Sequence, residues 1–200
     1  MSHAGARFRT LVGLAAVGTT LLPLHRDRIG RREQRTFLLL NGLPDRLYRP
    51  AWPVMQFGAW ASAPVTAGVA LALGKRSLAV RLFTEGTAAW GLAKVVKGVV
   101  RRGRPAALVV GVRSRGREPT GLGYLSGHSA VSTVLSAAAY PHLGTRGRRL
   151  TIGLASVVGL SRIYVGAHLP LDVAGGVGLG LLIDGAYSIG AKAGRRQETS

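Results

Sequence analysis

There is no cysteine among the 200 residues, and only 8 are acidic against 27 Lys and Arg. Without cysteine there is no disulfide framework, no thiol nucleophile and no Cys-based metal centre. With so few Asp and Glu, no carboxylate cluster stands out that could hold a divalent cation. A formal charge of +19 would point to nucleic acid in a soluble chain. No basic surface interleaved with aromatic residues appears, however, and aromatics make up only 6% of the chain. The chain is also 47% hydrophobic with a mean hydropathy of +0.23, which excludes disorder as its main state. A chain this basic and this apolar reads as a membrane protein with Arg-rich loops. Only Lys75, Lys94, Lys97 and Lys192 are lysine. The excess of Arg suits phosphate recognition.

Six apolar stretches alternate with charged segments. Residues 8–24 follow Arg7 and Arg9 and end in Leu22-Pro23-Leu24-His25 with no small-residue cleavage site, so they read as a first span rather than a signal peptide. Residues 26–49 are basic around one apolar cluster, Phe37 to Leu40 and Leu43, which predicts a short interfacial amphipathic helix closed by Asn41-Gly42 and Pro44. Residues 51–73 carry no charge and predict one uninterrupted span. Residues 78–100 are long enough to cross a bilayer but carry Arg81, Glu85, Lys94 and Lys97, the first two spaced to pair on one helix face. Helices are expected over 127–143, from 150 through Arg162, and over 170–189. In the last, Gly176 and Gly180 have the spacing that lets membrane helices approach closely. The expected architecture is an all-α polytopic membrane bundle of about six transmembrane helices with its active site at one membrane face. Its expected parts are an N-terminal span plus interfacial helix (1–50), a core (51–190) and a basic polar tail (191–200).

Short antiparallel connections bring three polar clusters to one face. Lys97 and Arg104 are two helical turns apart and share a face if the helix lasts that long; Pro105 then ends it. Ser126-Gly127-His128 opens a helix whose free N–H groups suit an anion. Ser161-Arg162, His168 and Asp172 form the third cluster. Pro170 fits the first turn of the sixth helix, leaving His168 just outside it and Asp172 within that turn. A carboxylate there can take one imidazole N–H and leave the other nitrogen as a nucleophile. Each cluster also has a purely structural reading: a basic cap at lipid headgroups, an ordinary Ser N-cap, and a His/Asp pair buried at an interface.

Together the clusters read K-x6-R-P, then S-G-H, then S-R-x5-H-x3-D. In this order and spacing the chain resembles the type 2 phosphatidic acid phosphatase family, integral-membrane relatives of bacterial acid phosphatases and vanadium haloperoxidases. The resemblance covers residues from about 50 to 190. One departure is Leu125, where the family usually has Pro. The resemblance implies a membrane lipid phosphatase acting on a phosphomonoester or pyrophosphate, without metal or other cofactor. It implies His168 as a nucleophile forming a phosphohistidine, Asp172 as its orienting partner and His128 as the general acid. It further implies a phosphate cradle of Lys97, Arg104, Arg162, Ser126 and the Gly127 N–H. Three fixed cations can do for a phosphoryl group what a metal does elsewhere.

The competing readings are a phosphatase of small soluble esters, a vanadate-dependent oxidase, and a non-catalytic membrane protein that keeps a phosphate pocket. The 51–73 span argues against the soluble enzyme, and the intact His168, Asp172 and His128 argue against the non-enzyme. The implied partners are a lipid phosphate substrate and the bilayer, with no nucleic acid. The implied location is the cell membrane, multi-pass. By count the catalytic face carries more basic residues than the opposite one, and the positive-inside rule read literally would place it in the cytoplasm. Most bacterial members of the family resembled work on the outer face, which places the site extracytoplasmically. His3 lies in a tail, while His25 and His142 sit at helix ends. Trp52, Trp60, Tyr140 and Tyr187 are anchors or packing. Thr120 to Leu125 line the entrance, and Arg113, Arg115 and Arg117 either attract anionic headgroups or form a solvated loop. Asp184, inside the sixth helix, faces the bundle or a water-filled notch.

Overall fold

The computed structural model describes residues 3–25 and 29–197. Readings that involve Arg26 and Arg28, the end of the tail, or the side chains of His3, His25 and Lys192 lie outside the described residues and side chains. The chain folds as an all-α bundle, with no strand among the described residues. The helices are α1 (His3–Leu21), α2 (Arg31–Asn41), α3 (Tyr48–Gln56), α4 (Ser62–Ala72), α5 (Arg76–Val100), a single turn α6 (Pro105–Leu108), α7 (Gly127–Ala139), α8 (Thr145–Tyr164) and α9 (Pro170–Gln197). Helix α9 therefore runs on through most of the segment expected as a tail.

Helix α7 is the central element. Ser129 to Leu135 and Ala138 are all buried, and α5, α8 and α9 pack around it. Its composition of Ser, Ala, Val and Thr lets three neighbours come close. Gly176 and Gly180 do what their spacing predicts. A Cβ at Gly176 would collide with the Ser126 carbonyl, and one at Gly180 would lie 2.7 Å from the Ala130 carbonyl, so α9 lies backbone to backbone on α7. A second row of small residues faces α1: a Cβ at Gly178 would lie 2.8 Å from the Ala16 Cβ, and one at Gly13 2.6 Å from the Leu182 nitrogen.

The uncharged run 51–73 is not one helix. It is split into the end of α3 and all of α4 by turns at 57–61. The break lets Gly58 sit against α7, where a Cβ would lie 2.6 Å from the His128 carbonyl and 2.8 Å from its Cβ. Among the described residues one helix, Pro170–Ala191, is long and apolar enough to cross a membrane on its own composition, and Ser62–Ala72 is a shorter apolar helix. Some of the charge on α1, α5 and α9 turns inward. Asp184, fully buried, accepts from Arg9 and from Arg81 (2.5 Å). Arg81 also reaches Glu85 at 2.6 Å and Ser188 Oγ at 2.8 Å, and its guanidinium lies over the Tyr187 ring. Asp184 thus faces the bundle and joins α1, α5 and α9, and Arg81 and Glu85 pair as their spacing predicts. Lys94 covers the Trp90 ring at 3.7 Å.

Helix α2 lies across the end of the bundle as an amphipathic element. Phe37 is buried with Val109, Ile163 and Leu169, while Leu39 is exposed. Asn41 is buried, donating to the carbonyls of Arg113 and Tyr164 and accepting from the Arg113 N–H. Arg115 donates to the carbonyls of Asn41, Leu43 and Tyr164 and pairs with Asp45. The solvated or headgroup-facing role read for Arg115 is therefore replaced by an internal one, because the end of α2, the turn after it and the end of α8 offer it three carbonyl acceptors. Arg113 and Arg117 are exposed.

Candidate active site

The ends of α5 and α8, the starts of α7 and α9, and the 101–104 loop meet at one end of the bundle, as the connectivity requires. Each end is built by local chemistry. Helix α5 stops at Val100 because Arg101 adopts the left-handed conformation (φ 54°), its N–H still bonded to the Lys97 carbonyl. The helix does not last to Arg104, so Lys97 and Arg104 meet through this turn and not through helical register. Pro105 occupies the first position of α6, directly after Arg104.

Helix α8 ends in a Schellman motif. Gly166 has φ +77°, its N–H bonds to the Ile163 carbonyl, and the Ala167 N–H bonds to the Arg162 carbonyl at 3.0 Å. The His168 N–H shares that Arg162 carbonyl at 3.1 Å. This turn is why Arg162 and His168 meet although five residues separate them. The signal is Gly166 just past the helix, which the sequence reading passed over. Pro170 then starts α9, as expected, and Asp172 reaches back to accept the Leu169 N–H at 2.9 Å, one half of a capping box.

His168 is 2% exposed and Asp172 fully buried. His168 Nδ1 lies 3.5 Å from Asp172 Oδ2, longer than an ordinary N–H···O bond. Apo catalytic contacts often tighten only when substrate is bound. Arg104 Nη1 lies 3.1 Å from His168 Nε2 and donates to the Ala167 carbonyl at 2.7 Å, while Nη2 donates to the Thr120 carbonyl. A guanidinium can only donate, so Nε2 carries the lone pair and the proton sits on Nδ1, facing Asp172. Burial, then the charges of Lys97, Arg104 and Arg162, hold the His168 imidazole well below the ordinary His value. Burial also lowers Arg104 from its ordinary value.

Lys97 Nζ donates to the carbonyls of Gly123 (2.8 Å) and Leu122 (3.3 Å). Among the described residues, the Arg162 side chain has the Met55 sulfur as its one hydrogen-bond partner, 3.8 Å from Nη1. The Nε of Arg104 and the Nε of Arg162 are both buried without a hydrogen-bond partner. His128, in the first turn of α7, is within electrostatic reach of Arg162, Lys97 and Arg104. Ser126 is wholly buried, and its Oγ caps α7, accepting from the Ser129 N–H at 3.3 Å and the Ser129 hydroxyl at 3.0 Å. The capping role is thus present, and the Oγ proton is still free to be donated. Gly127 and His128 head α7, where backbone N–H groups have no intrahelical acceptor. Leu125, at the departure from the family pattern, is fully buried, and the peptide before it is cis.

Lys97, Arg104, Arg162, His128 and Asp172 surround His168, and Ser126, next to Gly127, is tied to Asp172 through its backbone N–H. The sequence reading missed Arg102 and Glu33. Arg102 Nη1 donates to Asp172 Oδ1 at 2.8 Å and to Glu33 Oε1 at 3.1 Å, and Nη2 donates to Glu33 Oε2 at 2.8 Å. Arg102 was hidden among neighbouring arginines, and Glu33 lies in a helix read only for its apolar cluster.

The PAP2 superfamily matches residues 77–193, more than half of the chain. The protein belongs to this superfamily, and the matched segment contains every expected site residue. Its fold is similar to that of a transmembrane PAP2 type phosphatidylglycerolphosphate phosphatase from Bacillus subtilis, at 19% identity and a TM-score of 0.73, covering 93% of this chain and 97% of that one. It is also similar to Aquifex aeolicus LpxE, at 20% identity and a TM-score of 0.65, covering 78% of this chain and 93% of that one. Comparison with curated proteins gives no match.

Proposed function

We propose that this chain is an integral-membrane phosphatase that hydrolyses a lipid phosphomonoester or pyrophosphate through a phosphohistidine, with no metal in the reaction. The observation that carries the reading is the pair of orphaned guanidinium nitrogens on Arg104 and Arg162, buried beside His168. Each unsatisfied buried donor costs about 1–3 kcal/mol, and a phosphoryl group supplies oxygens for both.

On this reading Lys97, Arg104 and Arg162 hold the three non-bridging oxygens, aided by the Ser126 hydroxyl and the Gly127 N–H. The lone pair of His168 Nε2 attacks phosphorus in line, and the bond from phosphorus to the lipid oxygen breaks. With the phosphoryl anion bound among the three cations, His128 takes up a proton and gives it to that oxygen, while Asp172 holds the Nδ1 proton as the imidazole gains charge. Water then attacks the phosphohistidine, His128 takes the water proton back, and inorganic phosphate leaves. The second substrate reading, small soluble esters, gains nothing from the apolar surface. Phe8, Leu11, Val65, Val69, Val80, Val95, Val99, Leu150 and Val157 are exposed on the outer faces of α1, α4, α5 and α8, an area that supports contact with lipid.

We place the site on the extracytoplasmic face. Arg102, Arg104 and Arg115 are held by internal partners, which narrows the charge tally that favours the cytoplasm without reversing it, so the placement rests on the resemblance to family members that work on the outer face. Because the chain has no native cysteine, Glu118→Cys and Arg146→Cys test this in intact cells. Labelling of position 118 only after permeabilisation rejects it. The function itself is tested by phosphate release in detergent with EDTA present. The panel is phosphatidate, phosphatidylglycerol phosphate, a polyprenyl pyrophosphate and a polyprenyl sugar phosphate. Release from at least one is expected, and release from none, or only after a divalent metal is added, rejects the reading.

A further inference from the structure

We infer that Arg102 and Glu33 are positioning residues for the His168–Asp172 pair, so that the amphipathic helix α2 helps set which nitrogen of the reacting imidazole carries the proton. The inference rests on the reading of His168 as the nucleophile. Glu33 belongs to α2, Arg102 to the turn after α5, and Asp172 to the first turn of α9; all three meet in one part-buried chain of bonds that ends on the buried Asp172.

Asp172 divides its oxygens. Oδ2 accepts the Leu169 N–H and faces His168 Nδ1, while Oδ1 accepts from Arg102 at 2.8 Å. Arg102 is in turn gripped by both oxygens of Glu33, and Glu33 Oε1 also accepts the Leu171 N–H at 3.2 Å. The Arg102 backbone is fixed as well, its carbonyl accepting the Gly123 N–H at 2.7 Å. The carboxylate plane of Asp172 is therefore set from both sides. A buried carboxylate without such a partner turns toward the nearest cation. The other charged or titratable groups around the pair are Lys97 from α5, Arg104 from the loop, His128 from α7, Arg162 from α8, and Tyr124 before α7. All except Tyr124 belong to the proposed cradle or proton path. Without Arg102, Asp172 swings toward Lys97 or Arg104, and His168 Nδ1 loses its acceptor.

Among the described residues neither Arg102 nor Glu33 hydrogen-bonds through its side chain to a cradle residue, so each acts through Asp172. Removing either is expected to lower kcat and leave KM for the lipid unchanged. For Arg102→Gln the loss is between about tenfold and about a hundredfold, below the roughly ten-thousandfold seen when an orienting carboxylate itself is replaced in a serine protease. Glu33→Gln gives a smaller loss in the same direction, and Arg102→Lys recovers part of it.

The deciding measurement needs no turnover. It is the ¹⁵N spectrum of histidine-labelled protein in detergent, with the His168 signals assigned by their loss in His168→Gln. Wild type is expected to carry the proton on Nδ1. Arg102→Gln and Glu33→Gln are expected to move His168 toward a mixture of tautomers, with the kcat loss above. An unchanged His168 tautomer in both variants overturns the inference, as does a rise in KM at constant kcat. If Arg102→Gln does not fold, Glu33→Gln and Arg102→Lys decide by the same signals. If wild type releases phosphate from no lipid, the proposed function fails, and the tautomer comparison still decides the positioning role.

Discussion

The backbone N–H of Ser126 donates to the backbone carbonyl of Asp172 at 2.8 Å. This bond ties the start of α7 to the start of α9, and so ties the helix that carries His128 to the turn that carries His168. Main-chain atoms hold the two histidines at a fixed separation, leaving their rings free for chemistry. Gly176 keeps this junction closed, because any side chain there would strike the Ser126 carbonyl.

Glycine in a helix is ordinarily up to about 1 kcal/mol worse than alanine. Gly153→Ala on α8, where a Cβ meets nothing within 4 Å, is expected to raise the thermal midpoint in detergent. Gly176→Ala is expected to lower it, overpacking costing about 1–3 kcal/mol, and to lower kcat as Ser126 shifts. Equal midpoints for the two variants would contradict the close α7–α9 packing.

Arg104→Lys and Arg162→Lys keep a positive charge and lose the planar fork. Each is expected to reduce phosphate release by about a hundredfold or more, the usual effect of losing one transition-state donor. Near wild-type turnover in both would remove them from the cradle.

The two histidines separate by leaving group. His168→Ala is expected to abolish turnover of every substrate. His128→Ala is expected to stop lipid hydrolysis and to spare phosphorylation by an activated aryl phosphate, since general acid catalysis is worth about a hundred- to ten-thousandfold and a nitrophenolate scarcely needs it. The readout is acid-labile phosphate on the protein after a burst. A burst in His168→Ala would reassign the nucleophile.

Because burial and neighbouring cations lower the His168 value, the folded protein keeps this imidazole neutral as pH falls past the ordinary value of 6.5. The unfolded chain takes up a proton there and the native state does not, so His168 makes stability fall with acidification below about pH 6.5. His168 ¹⁵N signals are expected to stay constant between about pH 6 and about pH 8. A titration midpoint near the ordinary value would show the ring to be solvated.

Asp184→Asn leaves Arg9 and Arg81 facing a neutral amide. Loss of one partner of a buried ion pair costs about 3–5 kcal/mol. The expected result is a large drop in thermal midpoint with kcat per folded molecule unchanged, because the cluster lies on α9 beyond the glycine rows, far along the helix from Asp172.

The order and spacing of the three motifs, the helix starts at Gly127 and Pro170, and the Gly176/Gly180 contact could all be read from the sequence. Each is decided within one or two helical turns, by a cap, a ring closure or a missing side chain. Whether a charge is solvated or paired is decided between helices far apart in the chain. Arg104 is marked in sequence by its spacing from Lys97 and by Pro105, whereas Arg102 and Arg115 carry no such mark. Only the fold gives Arg102 to Glu33 and Asp172, leaves Arg104 with an orphaned nitrogen beside His168, and sets Arg115 on the carbonyls of Asn41, Leu43 and Tyr164. The uncharged run 51–73 carries its own break signals in Gly58 and Pro64, the latter in the first turn of α4. What only the fold decides is that Gly58 at this break packs against His128 of α7.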